Sequence, residues 1–282
     1  MRPALSIVFF TVLSGAGLGM LAVLALAYGA AAPSAAILCA LGLVTLGLLS
    51  SVLHLAKPKN AWRSFLRFRT SWLSREAVFA ALLYPAAGAW LLGIPAAPYA
   101  VLALAWVVLA CTAMIYASLK PIREWRSPLV PVNFFLHGHF SGALAALAVT
   151  EDPVLRLPSL VLLLAAGAAK VAYYRVMEPA EGPALQSALG MPSAARVKLL
   201  DAGHSHGNYL TDEFAFRLAR SSAETLRVIV ALAAFLLPLV LLVALEDAAP
   251  LAALLCLGGL VVERWLFFAE ARHTVNLYQK RT

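Results

Sequence analysis

Eight apolar runs, each close to the length needed to cross a bilayer, dominate this sequence: 5–28, 34–55, 76–93, 99–119, 129–150, 153–177, 224–245 and 249–271. The hydrocarbon core of a membrane takes roughly 20 apolar residues of helix, and inside it only helices and closed barrels satisfy every backbone polar group. Runs that stay apolar for this long, without strand-like alternation, select the helix. Composition agrees: 62% of the 282 residues are hydrophobic and 13% are charged, too few polar groups to cover a soluble domain of this size. The expected fold is all-α, a polytopic membrane bundle of eight transmembrane helices forming one domain over 1–282. Run 76–93 is the weakest, because Pro85 interrupts it and Pro95 closes it. The first run follows Arg2 and ends near "AYGAAAP", as a cleavable signal would, but its apolar stretch is longer than a signal's and predicts a retained helix.

Charge placement orients the bundle. With eight spans, both termini share a face with the connections after the second, fourth and sixth helices. Of the 22 Lys and Arg, Arg156 alone falls on the opposite face. The positive-inside rule makes the basic face cytoplasmic, so the net charge of +8 reports topology and argues against a nucleic-acid partner. Connections on the other face are short turns such as "GIPAAP". The cytoplasmic ones are long, about 57–76 and 178–223, and predict a docking surface for a partner protein.

Histidine and cysteine limit the cofactors. His54, His137, His139, His204, His206 and His273 all map to cytoplasmic helix ends or loops. A transmembrane haem chain needs His pairs at both levels of a bundle; a single haem near the inner face, for example between His54 and His273, stays open. Cys39, Cys111 and Cys256 lie singly inside apolar runs, as small buried hydrophobes rather than as metal ligands or a disulfide frame. His204 and His206, with Asp201, Asp212 and Glu213 nearby, match no specific metal spacing and are read as part of a docking loop. No haem or metal is expected in this chain.

The chemistry concentrates in "LHLAKPKNAWRSFLRFRTSWLSREAVF", residues 53–79. His54 ends one helix and Arg75–Glu76 begins the next at the same depth, where a quinone head group can sit between lipid and water. Quinone chemistry moves two protons with two electrons, and His54 has the titration range for that exchange. Glu76 can relay protons and Arg75 can balance anionic charge, although Ser74 followed by Glu76 also reads as a helix N-cap and a dipole-favoured acid. Trp72 is a candidate pocket wall, and Trp62, Phe65, Leu66 and Arg69 have the spacing of a short amphipathic surface helix. Trp125 and Trp265 are assigned to an interfacial belt. In "ERWLFFAEARHTVNLY" Glu263 is an intramembrane acid, functional by default. Sequence neighbours on a helix point about 100° apart, so its partner is sought on another helix, at Lys170 or Arg175, rather than at Arg264.

Three segments carry a family likeness: "SSVLHLAKPKNAWRSFLRFRTSWLSREAV", "VPVNFFLHGHFSG" and "ERWLFFAEARHTV". Through them the chain resembles, over essentially its whole length, the membrane-anchor subunits of the dimethyl sulfoxide reductase family. The resemblance implies an eight-helix anchor in a bacterial inner membrane, paired on its cytoplasmic face with a four-cluster iron–sulfur subunit and, through it, a molybdopterin catalytic subunit. Such an anchor is a subunit outside the catalytic core; it carries no metal of its own and exchanges electrons with membrane ubiquinone or menaquinone. The family's quinol-linked His and acid match His54 and Glu76, and His273 joins the candidate quinone site. The family commonly reads "HLGSP" where this chain reads "HLAKP", which places Lys57 at the site and leaves quinone type and redox direction open. The opening "MRPALSIVFFTVLSGAGLGM" looks closer to the branch that anchors cytoplasmic sulfite-oxidising enzymes. An anchor oxidising menaquinol and a purely structural anchor are the alternatives.

Overall fold

A computed structural model of the chain describes residues 3–53, 57–177, 189–192 and 222–272. Among these the regular structure is helical, without a strand. The long helices are α1 (Leu5–Tyr28), α2 (Ser34–Leu53), α3 (Trp72–Leu91), α4 (Ala97–Ala117), α5 (Leu129–Thr150), α6 (Arg156–Met177), α7 (Ala223–Ala244) and α8 (Ala249–Ala269). Seven of them are long and apolar enough to cross a membrane, where the sequence predicts eight. The exception is α3, which has 20 residues but carries Arg75 and Glu76 near its start and Pro85 inside. The predicted amphipathic surface helix is a short 3-10 helix, Pro58–Phe65, with Trp62 and Phe65 exposed.

α1 is the central helix, packed against α2, α4, α5 and α8. Lipid offers no hydrophobic force to press two apolar helices together, so small residues that let backbones touch set the association. The α1–α5 contact shows this: a Cβ at Gly19 would run into the carbonyl of Gly138, and one at Gly142 into the amide of Met20. α7 is α-helical at both ends but forms a π-helical segment over Ala231–Leu236, just before Pro238. Such segments cluster at functional positions, and here Phe235 lies against the rings of His137 and Phe140.

The four short connections are joined to one another. Trp90 at the end of α3 donates its indole N–H to the Gly29 carbonyl between α1 and α2, at 3.0 Å. Tyr28 donates to Asp152 between α5 and α6, at 2.8 Å. Arg156 donates to the carbonyls of Leu245 and Glu246 between α7 and α8, at 2.9 and 2.5 Å. The Val154 N–H and the Tyr28 hydroxyl hold the Asp152 carboxyl below the usual carboxylate range.

At the other end of the bundle the aromatic residues do not all form a belt. Trp125 is buried, its indole N–H donating to the Phe267 carbonyl at 3.0 Å, and it packs with Tyr116, Phe267 and Phe268. Apolar periodicity cannot separate a lipid-facing Trp from one turned inward by a bend in the chain. Cys39 likewise lies exposed on α2, whereas Cys111 and Cys256 are buried as expected.

Candidate functional site

α3 begins earlier than its apolar run suggests. Ser71, not Ser74, is the N-cap, accepting from the Ser74 amide at 3.4 Å, and no acid occupies the first turn. Glu76 therefore sits one turn inside the helix, 4% exposed, with its carboxyl against the Thr112 hydroxyl of α4. The dipole-capping reading of Glu76 fails on this geometry. Arg75 stacks on Trp72 at 4.3 Å and donates to the carbonyls of Phe68 and Arg69 at 3.0 and 2.8 Å. That fixes the turn leading into α3 and keeps Arg75, Trp72 and Glu76 on adjoining turns. Lys57 is exposed at the start of the same connection. His54 and His273 lie outside the described residues, as do His204, His206, Asp201, Asp212 and Glu213. Among the described residues no three metal-ligating side chains converge.

A second polar centre lies in the bundle interior. Glu263 of α8 is completely buried and bonds Lys170 of α6, one of the two cations on another helix that the sequence predicts for it. It also accepts from Arg264 Nε at 2.5 Å. The expectation that Arg264 is not a partner is overturned: the Cα–Cβ directions of neighbours diverge, but a guanidinium on three methylenes folds back over its own helix. Arg264 Nη2 then reaches His137 Nδ1 of α5 at 2.7 Å, which places that ring 3.8 Å from Glu263 Oε2. Phe134 lies 4.3 Å and Phe267 5.1 Å from the guanidinium carbon, both in cation–π geometry. Asn133 donates to the carbonyls of Leu129 and Ala169, tying α5 to α6 beside the cluster. Three helices thus converge on one acid.

Sequence reasoning does not single out His137 and Asn133 as partners of Glu263. A signal for them exists: Asn133, His137 and Ser141 recur every four residues, one polar face on an otherwise apolar helix. Thr112 gives no signal, since a Thr in a membrane helix commonly bonds its own backbone, as this one does to Val108 at 3.0 Å.

Between the two centres, where α1, α4, α5 and α8 meet, lies a cavity of about 20 Å³ whose walls include Thr11, Ser14, Thr112, His137, Ser141 and Arg264. Two of the buried side-chain atoms lacking any partner among the described residues, His137 Nε2 and Arg264 Nη1, belong to residues in that wall.

Helices of membrane-crossing length around a buried ionic core define a multi-pass membrane protein. The family model of the DMSO reductase anchor subunit (DmsC) matches residues 1–269, and the chain belongs to that family. It is similar to a sulfite dehydrogenase subunit of Allochromatium vinosum, with 32% identity across 99% of this chain and 98% of that protein. Membership of an anchor-subunit family implies association with other subunits of a complex.

Proposed function

We propose that this chain is the quinone-reactive membrane anchor of a molybdenum oxidoreductase, passing electrons between an iron–sulfur partner subunit and the quinone pool of a bacterial inner membrane. The observation that carries the reading is Glu76, a buried acid without an ion pair among the described residues, next to Arg75 and one turn from Trp72. An unpaired acid in the body of a membrane bundle is costly and marks proton or ligand chemistry. Quinone reduction takes up two electrons and two protons, so the site needs groups that trade protons at its edge. Glu76 and His54 fill that role, Arg75 supplies positive charge, and Lys57, Trp72 and His273 complete the pocket.

In this reading α3 is the eighth span, and 1–282 is one membrane domain. Twenty residues reach about 30 Å at 1.5 Å per residue. Glu76 near one end meets Thr112 near the end of α4, and Trp90 near the other meets the α1–α2 connection. Eight spans place both termini on the basic, cytoplasmic side, where the iron–sulfur and molybdopterin subunits dock.

Similarity to a sulfite dehydrogenase subunit supports electron flow toward quinone. Sulfite and water give sulfate, two protons and two electrons in the catalytic partner; quinone takes two electrons and two protons to become quinol at the anchor. The test is the assembled complex in native membranes. Glu76→Gln and His54→Ala are expected to abolish sulfite-to-quinone turnover while sulfite oxidation by a soluble dye persists. Equal loss of both activities would assign an assembly role, and undiminished quinone turnover would leave a purely structural anchor.

A further inference from the structure

The cavity between Glu76 and the Glu263 cluster has matched but unjoined hydrogen-bonding groups. Arginine only donates, so the Arg264 contact makes His137 Nδ1 an acceptor and leaves the hydrogen of the neutral ring on Nε2. That Nε2–H and the Arg264 Nη1 hydrogens are buried without an acceptor among the described residues. On the other walls Thr11, Ser14 and Ser141 each donate to a carbonyl one turn back in their own helix, at 3.0, 2.6 and 2.6 Å, which leaves their oxygen lone pairs as acceptors. Thr112 closes the cavity with one hydroxyl hydrogen facing two acceptors, the Val108 carbonyl and the Glu76 carboxyl. The volume of about 20 Å³ exceeds the roughly 10–15 Å³ that one water needs, and the walls supply the two to four polar partners that a buried water takes.

We propose that this cavity is a water site, and that the water links Glu76, through Thr112, to the network of His137, Arg264, Glu263 and Lys170, which acts as the buried counter-charge of Glu76. The inference rests on the reading of Glu76 as the acid of a quinone site. With His137 neutral, the network holds two cations and one carboxylate, a net single positive charge inside an apolar bundle. Ionised Glu76 is the charge that balances it. The other groups facing Glu76 are Cys111 and Tyr116 of α4 and Arg75 on its own helix. When Glu76 gives its proton to one oxygen of the reduced quinone, the carboxyl O–H breaks and a quinol O–H forms; His54 supplies the second proton, and both electrons come from the iron–sulfur partner. The carboxylate left behind regains a proton that enters from water at the rim and is relayed by the cavity water and the Thr112 hydroxyl. Polar groups continue from the network toward the rim: Lys170 lies over the Tyr173 and Tyr174 rings at 4.6 and 4.5 Å, and Arg227 lies over Tyr174 and pairs with the partly exposed Glu270.

Thr112→Val removes the hydroxyl at nearly constant shape, and Thr112→Ser restores it. Each is placed in the assembled complex, with the Glu76 carboxyl band in redox-triggered infrared difference spectra assigned by its loss in Glu76→Gln. Thr112→Val is expected to slow quinone-linked turnover roughly tenfold, to perturb the Glu76 band, and to remove a water band sensitive to oxygen-18 exchange; Thr112→Ser recovers all three. Lys170→Met, which removes the excess positive charge, lets Glu76 hold its proton to higher pH and so moves the alkaline limb of the turnover profile up by about one unit. A Glu76 band and pH profile unchanged in Thr112→Val, or valine and serine variants that behave alike, would overturn the proposal. If the complex shows no quinone turnover at all while the Glu76 band, followed by pH titration, still responds to Thr112→Val, the quinone reading fails and the water link stands.

Discussion

Glu263 decides the charge balance of the bundle interior, and its replacement gives a quantitative test. Its two oxygens accept from Lys170 and from Arg264, and it is 0% exposed. Glu263→Gln keeps the shape, removes the negative charge and leaves two cations facing a neutral amide. Two charge-assisted hydrogen bonds of about 1.5–3 kcal/mol each are lost at full strength. Breaking a buried ion pair from one side costs about 3–5 kcal/mol by direct comparison. The two routes agree on roughly 3–5 kcal/mol. Lys170→Met removes one of the bonds but leaves a neutral Glu263–Arg264 pair, so its cost is about 1.5–3 kcal/mol. The double variant strands only one cation and is expected to be less damaged than Glu263→Gln alone, a negative coupling in the double-mutant cycle. The four proteins are compared in mild detergent micelles by titration with a denaturing detergent, following helix content by circular dichroism. If Glu263→Gln is no more destabilised than Lys170→Met, the charge accounting is wrong.

Two further variants test the frame around the site. Gly142→Val places a Cβ against the Met20 amide and the Gly19 carbonyl carbon; neither is a side chain that can move aside, so the cost reaches or exceeds the roughly 1–3 kcal/mol of ordinary overpacking, and wild-type resistance to denaturing detergent would refute the close α1–α5 contact. At the short connections, Asp152 has its carboxyl held below the usual 3.8 by the Val154 N–H and the Tyr28 hydroxyl. A depressed folded value means that its stabilisation is complete above about pH 4 and fades as pH falls through the lowered value. Asp152→Asn is expected to flatten the unfolding midpoint across that acidic window, and an unchanged pH dependence would remove Asp152 from the explanation.

The helical membrane class is legible because a bilayer acts on each segment separately: hydropathy and length decide whether a run inserts. Residue-level signals that depend on one helix also read correctly, such as Glu263 demanding a cation and Lys170 being available in an apolar run. Errors fall where a side chain's reach or a helix's rotation matters. The apolar run 76–93 starts four residues after α3 itself, because Trp72 opens the helix under a Ser71 cap that hydropathy does not weigh. Backbone directions exclude Arg264 as a partner of Glu263, yet its long side chain makes the bond. An interfacial belt is the expected place of Trp125, yet it is buried against Phe267.

By itself the sequence determined that the chain is a set of apolar helices of membrane-crossing length, which connections are long and basic, and which intramembrane acids demand a partner. Only the tertiary structure decided that Glu76 meets Thr112, that His137 meets Arg264, and that a cavity separates the two pairs. Those pairings depend on helix rotation and register, which are set by backbone contacts such as Gly19 with Gly138. Contacts of that kind join residues more than a hundred positions apart, and no local property of either segment encodes them.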